Sequence, residues 1–317
     1  MNILRFIAPS VYLSSKKKDI LFGMSILEEQ TLKILNDGTK EYTLPSYFLS
    51  EESMLGASYI HYWTRYCDEA VNGRYNETVQ SLKIKTQTMT AHSPLSPPFE
   101  ALKQVMQKYY IPFHYPLEFL EGLGMKMNRV RIKTYKELDL YCYRVASTRG
   151  LMMAHVMGIT NEVALKSIRD LAIAIELISI ANNIKSDLRH GQCYIPLEAL
   201  GQFEMKSEDL LKRQYEKILF FMIFQIVKRA NSYFVSGIDC IEYFPVRSGL
   251  MIYILANLEK ETGQMIFRQP EVTPVKLSFF KKFYIVTKSF FEYFYRYFPK
   301  RINQNQINKF SKTMKFD

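Results

Sequence analysis

Residues 171–180, LAIAIELISI, are apolar on nearly every side of a helix, with Glu176 as the exception. An ordinary surface helix keeps a polar face toward water, so a helix of this composition needs neighbours all round. The rest of the chain has to supply several more helices, and its pattern does so. Apolar residues recur at spacings of three and four, and short stretches with Pro or Gly separate the periodic segments. The pattern predicts helices over Glu51–Val71, stopped by Asn72 and Gly73, and near 99–109, 116–126, 135–157, 162–188, 206–236, 246–262 and 276–297, with a proline-rich loop at 92–98. No alternating run carries the turn chemistry of a sheet. The expected fold class is all-α, a single helical domain with a central cavity or core. Residues 1–40 read as an irregular N-terminal segment, 41–275 as the helical domain, 276–298 as an aromatic and basic helix and 299–317 as a polar, disordered tail.

Composition narrows the function by exclusion. Of 317 residues 48% are hydrophobic and 23% charged, an ordinary globular balance. Cys67, Cys142, Cys193 and Cys240 are scattered without a CxxC pair, as expected for reduced thiols in a cytoplasmic protein. The histidines show no metal-ligand spacing, and the glycine signatures of nucleotide-binding loops and the GxSxG of serine hydrolases are missing. No early segment reads as a signal peptide, since Lys16–Lys18 follow the short apolar start. No unbroken apolar run reaches the ~20 residues of a membrane span; the longest, 218–227, is about half of that. The net charge is +11, of which residues 276–317 hold +8 through ten basic and two acidic side chains. The near-neutral body argues against a nucleic-acid groove.

The long apolar helix ends in polar residues at a regular interval. Ser179, Asn183 and Asp187 stand at i, i+4 and i+8, so their oxygens form a column on one face, with Glu176 within a turn of Ser179. An oxygen column suits a hard cation such as Mg²⁺. The structural alternative is a solvated helix face or a cap. A second stretch, SYIHYWTRYCDEAVNG (58–73), sets Asp68 and Asn72 at i, i+4 with Glu69 beside them and Arg65 one turn before. Two such helices would clamp metal ions that hold a diphosphate, with Arg65 adding charge-assisted contacts to phosphate oxygens. The alternative there is an exposed helix end with an Arg–Glu pair of little energetic weight.

These stretches carry a resemblance. NNIKSDLRHGQCYIP (182–196) resembles the second aspartate-rich motif of the squalene/phytoene synthases, closely so at Arg189, Gly191, Tyr194 and Pro196. RYCDEAVNG (65–73) is similar to their first such motif, and YCYRVASTRGLMMAHVMGI (141–159) to their Y-C-Y-x-V-A-G helix. LPSYFLS (44–50) and ILANLEKETGQMIF (254–267) resemble their entry and closing segments. The motifs come in order from about 40 to 285. The resemblance implies an all-α fold with a central cavity, Mg²⁺ as cofactor, and head-to-head condensation of two prenyl diphosphates to a C30 or C40 hydrocarbon. It further implies metal binding by Asp68, Asn72, Ser179, Asn183 and Asp187, with Glu69 and Glu176 as further donors. Diphosphate contacts fall to Arg65, Arg189, Tyr194 and Arg149, and catalytic roles to Tyr143 and Arg65.

The chain departs from the family pattern where the metal would bind. Glu69 and Asn72 stand for the last two aspartates of the first motif, and Ser179–Asn183–Asp187 for an Asn–Asp–Asp column. The four ligand carboxylates become two, Asp68 and Asp187, which weakens cation capture because affinity follows ligand charge. Ser147 replaces a glycine and Arg149 an apolar residue. Two further readings stay open: a class I terpene cyclase, which needs one diphosphate and tolerates fewer ligands, and a non-catalytic relative. No dinucleotide fingerprint supports NADPH. In the tail, Phe279, Phe283, Phe290, Phe294 and Phe298 form an aromatic stripe flanked by lysines. That is the pattern of a helix lying in a membrane interface, so residues 276–301 are expected to make peripheral membrane contact. The alternative is that the stripe packs on the body.

Overall fold

The computed structural model describes residues 51–89, 95–127, 131–269 and 271–313. The expectations for residues 1–40 and for the entry segment 44–50 lie outside the described residues. Among the described residues there are helices and no strand. They group into two compact units, the first containing residues up to Met127 and Thr148–Thr160, the second Asn128–Ser147 and Asn161–Asp317.

In the first unit α1 (Glu51–Val71) packs on α3 (Pro97–Tyr109) and α4 (His114–Met127), and α2 (Val79–Thr88) lies against α4. Helix α6 (Thr148–Val156) packs against α1, α3 and α4. Trp63 is fully buried with its ring centre 5.5 Å from that of Phe119, and Leu82, Leu102, Leu120 and Met152 are fully buried as well. The sequence pattern misses α2 because it buries only the narrow row Leu82 and Thr86. Its start is nevertheless written locally. Thr78 and Ser81 exchange side-chain-to-backbone hydrogen bonds, a capping box that satisfies two otherwise orphaned amides.

The second unit is built round α7 (Glu162–Arg189). Asn161 starts it by accepting a hydrogen bond from the Ala164 amide at 3.1 Å. Ile173, Ala174, Leu177, Ile178, Ala181 and Ile184 are buried. Helix α9 (Glu216–Gly237) packs along α7, which also meets α5 (Tyr135–Cys142), α10 (Val246–Arg268) and the 3-10 turns Ser207–Leu211 and Ile238–Tyr243. A short α8 (Leu197–Gly201) follows α7, and α11 (Phe279–Thr313) packs on α10. The span 213–243 is long and apolar enough to cross a membrane by composition. Its row of Leu219, Met222, Ile223, Ile226, Val227 and Ala230 is buried, while Phe221 and Phe224 on the other side are exposed.

Three expected helices differ in detail. The one near 135–157 is interrupted by a π-helical turn, Tyr143–Ser147. That near 206–236 begins as 3-10 turns, and α9 starts only at Glu216. The last helix does not give way to irregular chain after Pro299 but runs to Thr313. Residues 300–313 contain no Gly or Pro and several good helix formers, so local propensity does not oppose it. Since Leu177 is fully buried at the centre of α7, Leu177→Ala is expected to cost about 2–5 kcal/mol in unfolding free energy. Chemical denaturation checks this, and a loss below 1 kcal/mol would show that α7 is not packed all round.

Candidate active site

Both aspartate-rich stretches end in the same backbone device. After α1, the Gly73 amide donates to the Ala70 carbonyl at 3.1 Å and the Arg74 amide to the Glu69 carbonyl at 3.0 Å. After α7, the Gly191 amide donates to Leu188 at 3.0 Å and the Gln192 amide to Asp187 at 2.9 Å. These are paired 5→2 and 6→1 bonds of a Schellman cap, and both glycines take the left-handed conformation it needs, with φ +84° and +76°. The cap folds the chain back beside the last acidic turn. After α1 it brings Arg74 over Glu69; after α7 it is followed by Tyr194.

In the first unit Arg65 Nε donates to Glu69 Oε1 at 2.9 Å, and Arg74 reaches the same oxygen at 2.9 Å. The Tyr75 hydroxyl donates to Oε2 at 3.3 Å. Burial pushes the Glu69 carboxyl up, but the Arg65 hydrogen bond, the charges of Arg74 and Arg65 and the Tyr75 hydroxyl outweigh it and hold it below the usual range. Glu69, expected as a further metal donor, therefore has both oxygens committed to cations and a phenol. Asp68 lies 3.8 Å from Lys126 on α4, and Asn72 is exposed just past the helix end.

Arg149, on α6, sits with its guanidinium 5.9 Å from the centre of the Phe119 ring. It also bears on His61 of α1. Burial, then the charges of Arg65 and Arg149, push the His61 imidazole down to about 4. Two arginines thus act on one neutral imidazole.

In the second unit Ser179 and Asn183 are exposed and Asp187 and Glu176 half-buried, so the column presents its oxygens on an accessible stripe of an otherwise buried helix. The Asn183 amide nitrogen donates to the Ser179 carbonyl at 3.0 Å, which leaves the amide oxygen as the outward donor. Asn182, its neighbour, has a different task. Its side chain accepts from the Val275 amide at 2.7 Å and donates to the Val275 carbonyl at 3.2 Å, strapping the segment before α11 onto α7.

Tyr194 is buried beside the column, its hydroxyl 3.2 Å from that of Tyr141 and 3.1 Å from Gln192 Oε1. Burial raises the Tyr194 phenol; the Tyr141 bond opposes this, and the charges of Asp187 and Glu176 add to it, giving about 12. Tyr141 is pushed up further, by burial first and then by Tyr194. Both phenols are donors at neutral pH. Tyr143 is half-buried on the π-turn, a helix defect common at functional sites. Ser147, where the family has glycine, is fully buried and donates to the Arg169 carbonyl of α7 at 2.8 Å. Arg189 is exposed at the end of α7.

Spacing and resemblance do not point to Tyr141, Lys126, Arg74, Tyr75 or His61, although Tyr141 lies within YCYRVAS and His61 within SYIHYWTRYCDEAVNG. Among the described residues no three His, Cys, Asp or Glu side chains gather as a metal-holding group. The α7 column still fits a divalent cation by donor chemistry, because two neutral oxygens and one carboxylate on one face are hard ligands. The α1 set fits less well, since both of its carboxylates stand beside cations.

The squalene/phytoene synthase family model matches residues 35–281. The chain belongs to the squalene/phytoene synthase family. Among curated relatives, a 15-cis-phytoene synthase from Enterobacter agglomerans is 27% identical over 263 residues, covering 76% of this chain and 89% of that one. A phytoene synthase from Arthrospira platensis is 30% identical over 241 residues, covering 68% and 78%. The fold matches that of a squalene synthase from Alicyclobacillus acidocaldarius with a TM-score of 0.71 at 17% identity, covering 78% of this chain and 95% of that one. A dehydrosqualene synthase matches equally, at 0.71 and 17%, covering 87% and 97%. This is the all-α isoprenoid synthase fold expected from the sequence, in a family that uses divalent metal.

His61 gives this squalene/phytoene synthase relative a pH signature. Unfolded, the imidazole takes a proton near pH 6.5; folded, it stays neutral until about 4. Between these values the unfolded chain binds more protons, so stability falls as pH drops from 6.5 toward 4. His61→Gln is expected to flatten that part of the stability profile. Identical slopes in variant and parent over the window would refute the assignment.

Proposed function

We propose that this chain joins two prenyl diphosphates head to head, with Mg²⁺, to a C30 or C40 isoprenoid hydrocarbon. The phytoene synthases among its relatives support the C40 length. The observation that carries the reading is the α7 column, where the amide nitrogen of Asn183 is tied back to Ser179 and the oxygens of Ser179, Asn183 and Asp187 share one face. Those three residues, with Asp68 and Asn72, are the proposed metal ligands. A divalent cation bound there would supply charge neutralisation to the leaving diphosphate.

The chain's own groups do the rest in this reading. Arg65 and Arg149 bind diphosphate oxygens as charge-assisted donors, as does Arg189, where the α7 cap opens to solvent. Glu69 orients Arg65 and is not itself a ligand. Tyr194, whose hydroxyl hydrogen goes to Gln192 Oε1 at 3.1 Å, turns that hydrogen to a diphosphate oxygen, its proton held by burial, and Glu176 adds negative charge beside it. Tyr143 faces the allylic cation left when diphosphate departs, stabilised by the π-face of the ring. We further propose a cytoplasmic protein in peripheral contact with a membrane through residues 276–301.

One observation favours a second reading, a non-catalytic relative. Asp68 and Glu69 both stand beside cations, Lys126 for the first and Arg65 and Arg74 for the second, so the first motif offers little free negative charge.

Purified protein incubated with Mg²⁺ and farnesyl or geranylgeranyl diphosphate separates the readings. A C40 hydrocarbon in the hexane extract is expected from the geranylgeranyl substrate. A C30 product would correct the chain length, a cyclic C15 or C20 product would point to a terpene cyclase, and recovered substrate would favour the non-catalytic reading. Asp187→Asn removes the column's one carboxylate and is expected to lower turnover about a hundredfold, near 3 kcal/mol in transition-state terms. Unchanged kcat in that variant contradicts the role of α7. Restoring both acids, Asn72→Asp with Asn183→Asp, is expected to lower the Mg²⁺ concentration giving half-maximal rate; an inert double variant counts against a weakened but working site.

A further inference from the structure

Helix α11 is apolar on two opposite sides. Toward α10 it turns the row Ile285, Ser289, Tyr293 and Tyr297, all buried. The Tyr293 hydroxyl donates to the Val246 carbonyl at 2.9 Å, Asn257 donates to Ser289 at 3.1 Å, and Lys281 pairs with Glu261 at 2.8 Å. That row, with Lys281 beside it, holds the helix on α10. The aromatic stripe expected from the sequence is not the packing face: Phe279, Phe283 and Phe290 are exposed and Phe294 half-buried, while the side chain of Phe298 lies outside the described residues.

At 100° per residue, the direction opposite the buried row falls on Phe280, Thr287 and Phe291. Phe280, Phe283, Tyr284, Phe291 and Tyr295 crowd that side and are from 58% to 88% exposed. An outer face this aromatic, on a helix already anchored by its other side, marks an interaction surface.

We infer that the outer face of α11 docks on an anionic lipid surface, with the aromatic rings entering the headgroup boundary and the flanking cations meeting lipid charge. Charge complementarity selects this occupant. Residues 276–297 carry five basic side chains and one acid; the exposed Lys288 borders the aromatic side and the exposed Lys276 lies just before the helix, whereas Lys282 and Arg296, each seven residues from Ser289, fall on the side of the buried row. A second copy of the chain would bring the same positive charge to the contact. Residues 1–50 hold six basic and five acidic side chains, so they supply no complement either. A helix with aromatic residues on one side and Lys and Arg at its edges binds an interface in proportion to apolar area and to anionic lipid. The inference rests on the peripheral contact proposed above and names the face and the lipid charge; it does not depend on catalysis.

Vesicle flotation with the full chain tests it. On phosphatidylcholine vesicles with about 30% phosphatidylserine, wild-type protein is expected to float at ~0.1 M salt and to be released at ~0.5 M, while neutral vesicles bind about tenfold less. The variant Phe280→Ser/Phe283→Ser/Phe291→Ser should lose binding with an unchanged circular-dichroism melt. Because Trp63, the sole tryptophan, is fully buried, Phe291→Trp adds a reporter without altering the helix. Its emission should shift to the blue on anionic vesicles and be quenched by brominated lipid. Flotation that the triple variant retains, or a reporter that lipid leaves unchanged, keeps a membrane contact but overturns this face. No flotation of wild type at low salt removes both the contact and the inference. A wild-type dimer in light scattering that the triple variant dissolves would assign the face to a second copy and overturn the proposal.

Discussion

The burial of α7 everywhere but along its polar stripe is the constraint from which the rest follows. Leu177 and Ile178 at its centre are fully enclosed, and each such side chain contributes about 1.5–3 kcal/mol. A helix held by α5, α9, α10 and a π-turn cannot rotate or slide without opening that core. Its polar residues are therefore fixed in direction. Ser179, Asn183 and Asp187 stay on the one accessible stripe, and Asn182, one residue round the helix from Asn183, is spent on binding Val275. Two adjacent amides of the same chemistry thus serve a strap and a column, decided by which side of a rigid helix they occupy.

Substitutions away from the family pattern are locally accommodated. Ser147 brings a hydroxyl into a fully buried position where the family has glycine, and the Arg169 carbonyl accepts its hydrogen, so no polar group is left unsatisfied. Arg149, in an apolar position of the family, keeps its charge at half-burial against the Phe119 ring and near Arg65. Three changes in charge have one sense: where the family pattern has carboxylates, positions 72 and 183 carry amides, and where it has an apolar residue, position 149 carries a guanidinium, so each makes the chain more positive.

Much of this was legible in the sequence because it is periodic. The helical class, the extent of α1 and α7, and the column at i, i+4, i+8 are consequences of a 3.6-residue turn, which sequence spacing reports directly. What escaped has non-periodic causes. Helix α2 buries too narrow a row to register, and the π-turn at Tyr143–Ser147 keeps a helical pattern on both sides. The Arg65–Glu69 pair follows from i, i+4 spacing, but two further partners of Glu69, Arg74 and Tyr75, come from a cap that turns the chain back through Gly73. In α11 the excess of aromatics hid the packing face: with so many rings, spacing alone selected the phenylalanines, whereas the buried row uses Ile285, Ser289, Tyr293 and Tyr297.

The central claim is that a column with a single carboxylate on α7 still brings a divalent cation to a diphosphate. Calorimetric titration with inorganic pyrophosphate, in the presence and absence of Mg²⁺, addresses it without requiring turnover. The account predicts that Mg²⁺ tightens pyrophosphate binding by about tenfold or more, since a cation held by Ser179, Asn183 and Asp187 would neutralise ligand charge, and that Asp187→Asn abolishes the gain while leaving the Mg²⁺-free affinity intact. Pyrophosphate binding that is equally tight with and without Mg²⁺ in the wild-type protein would contradict it.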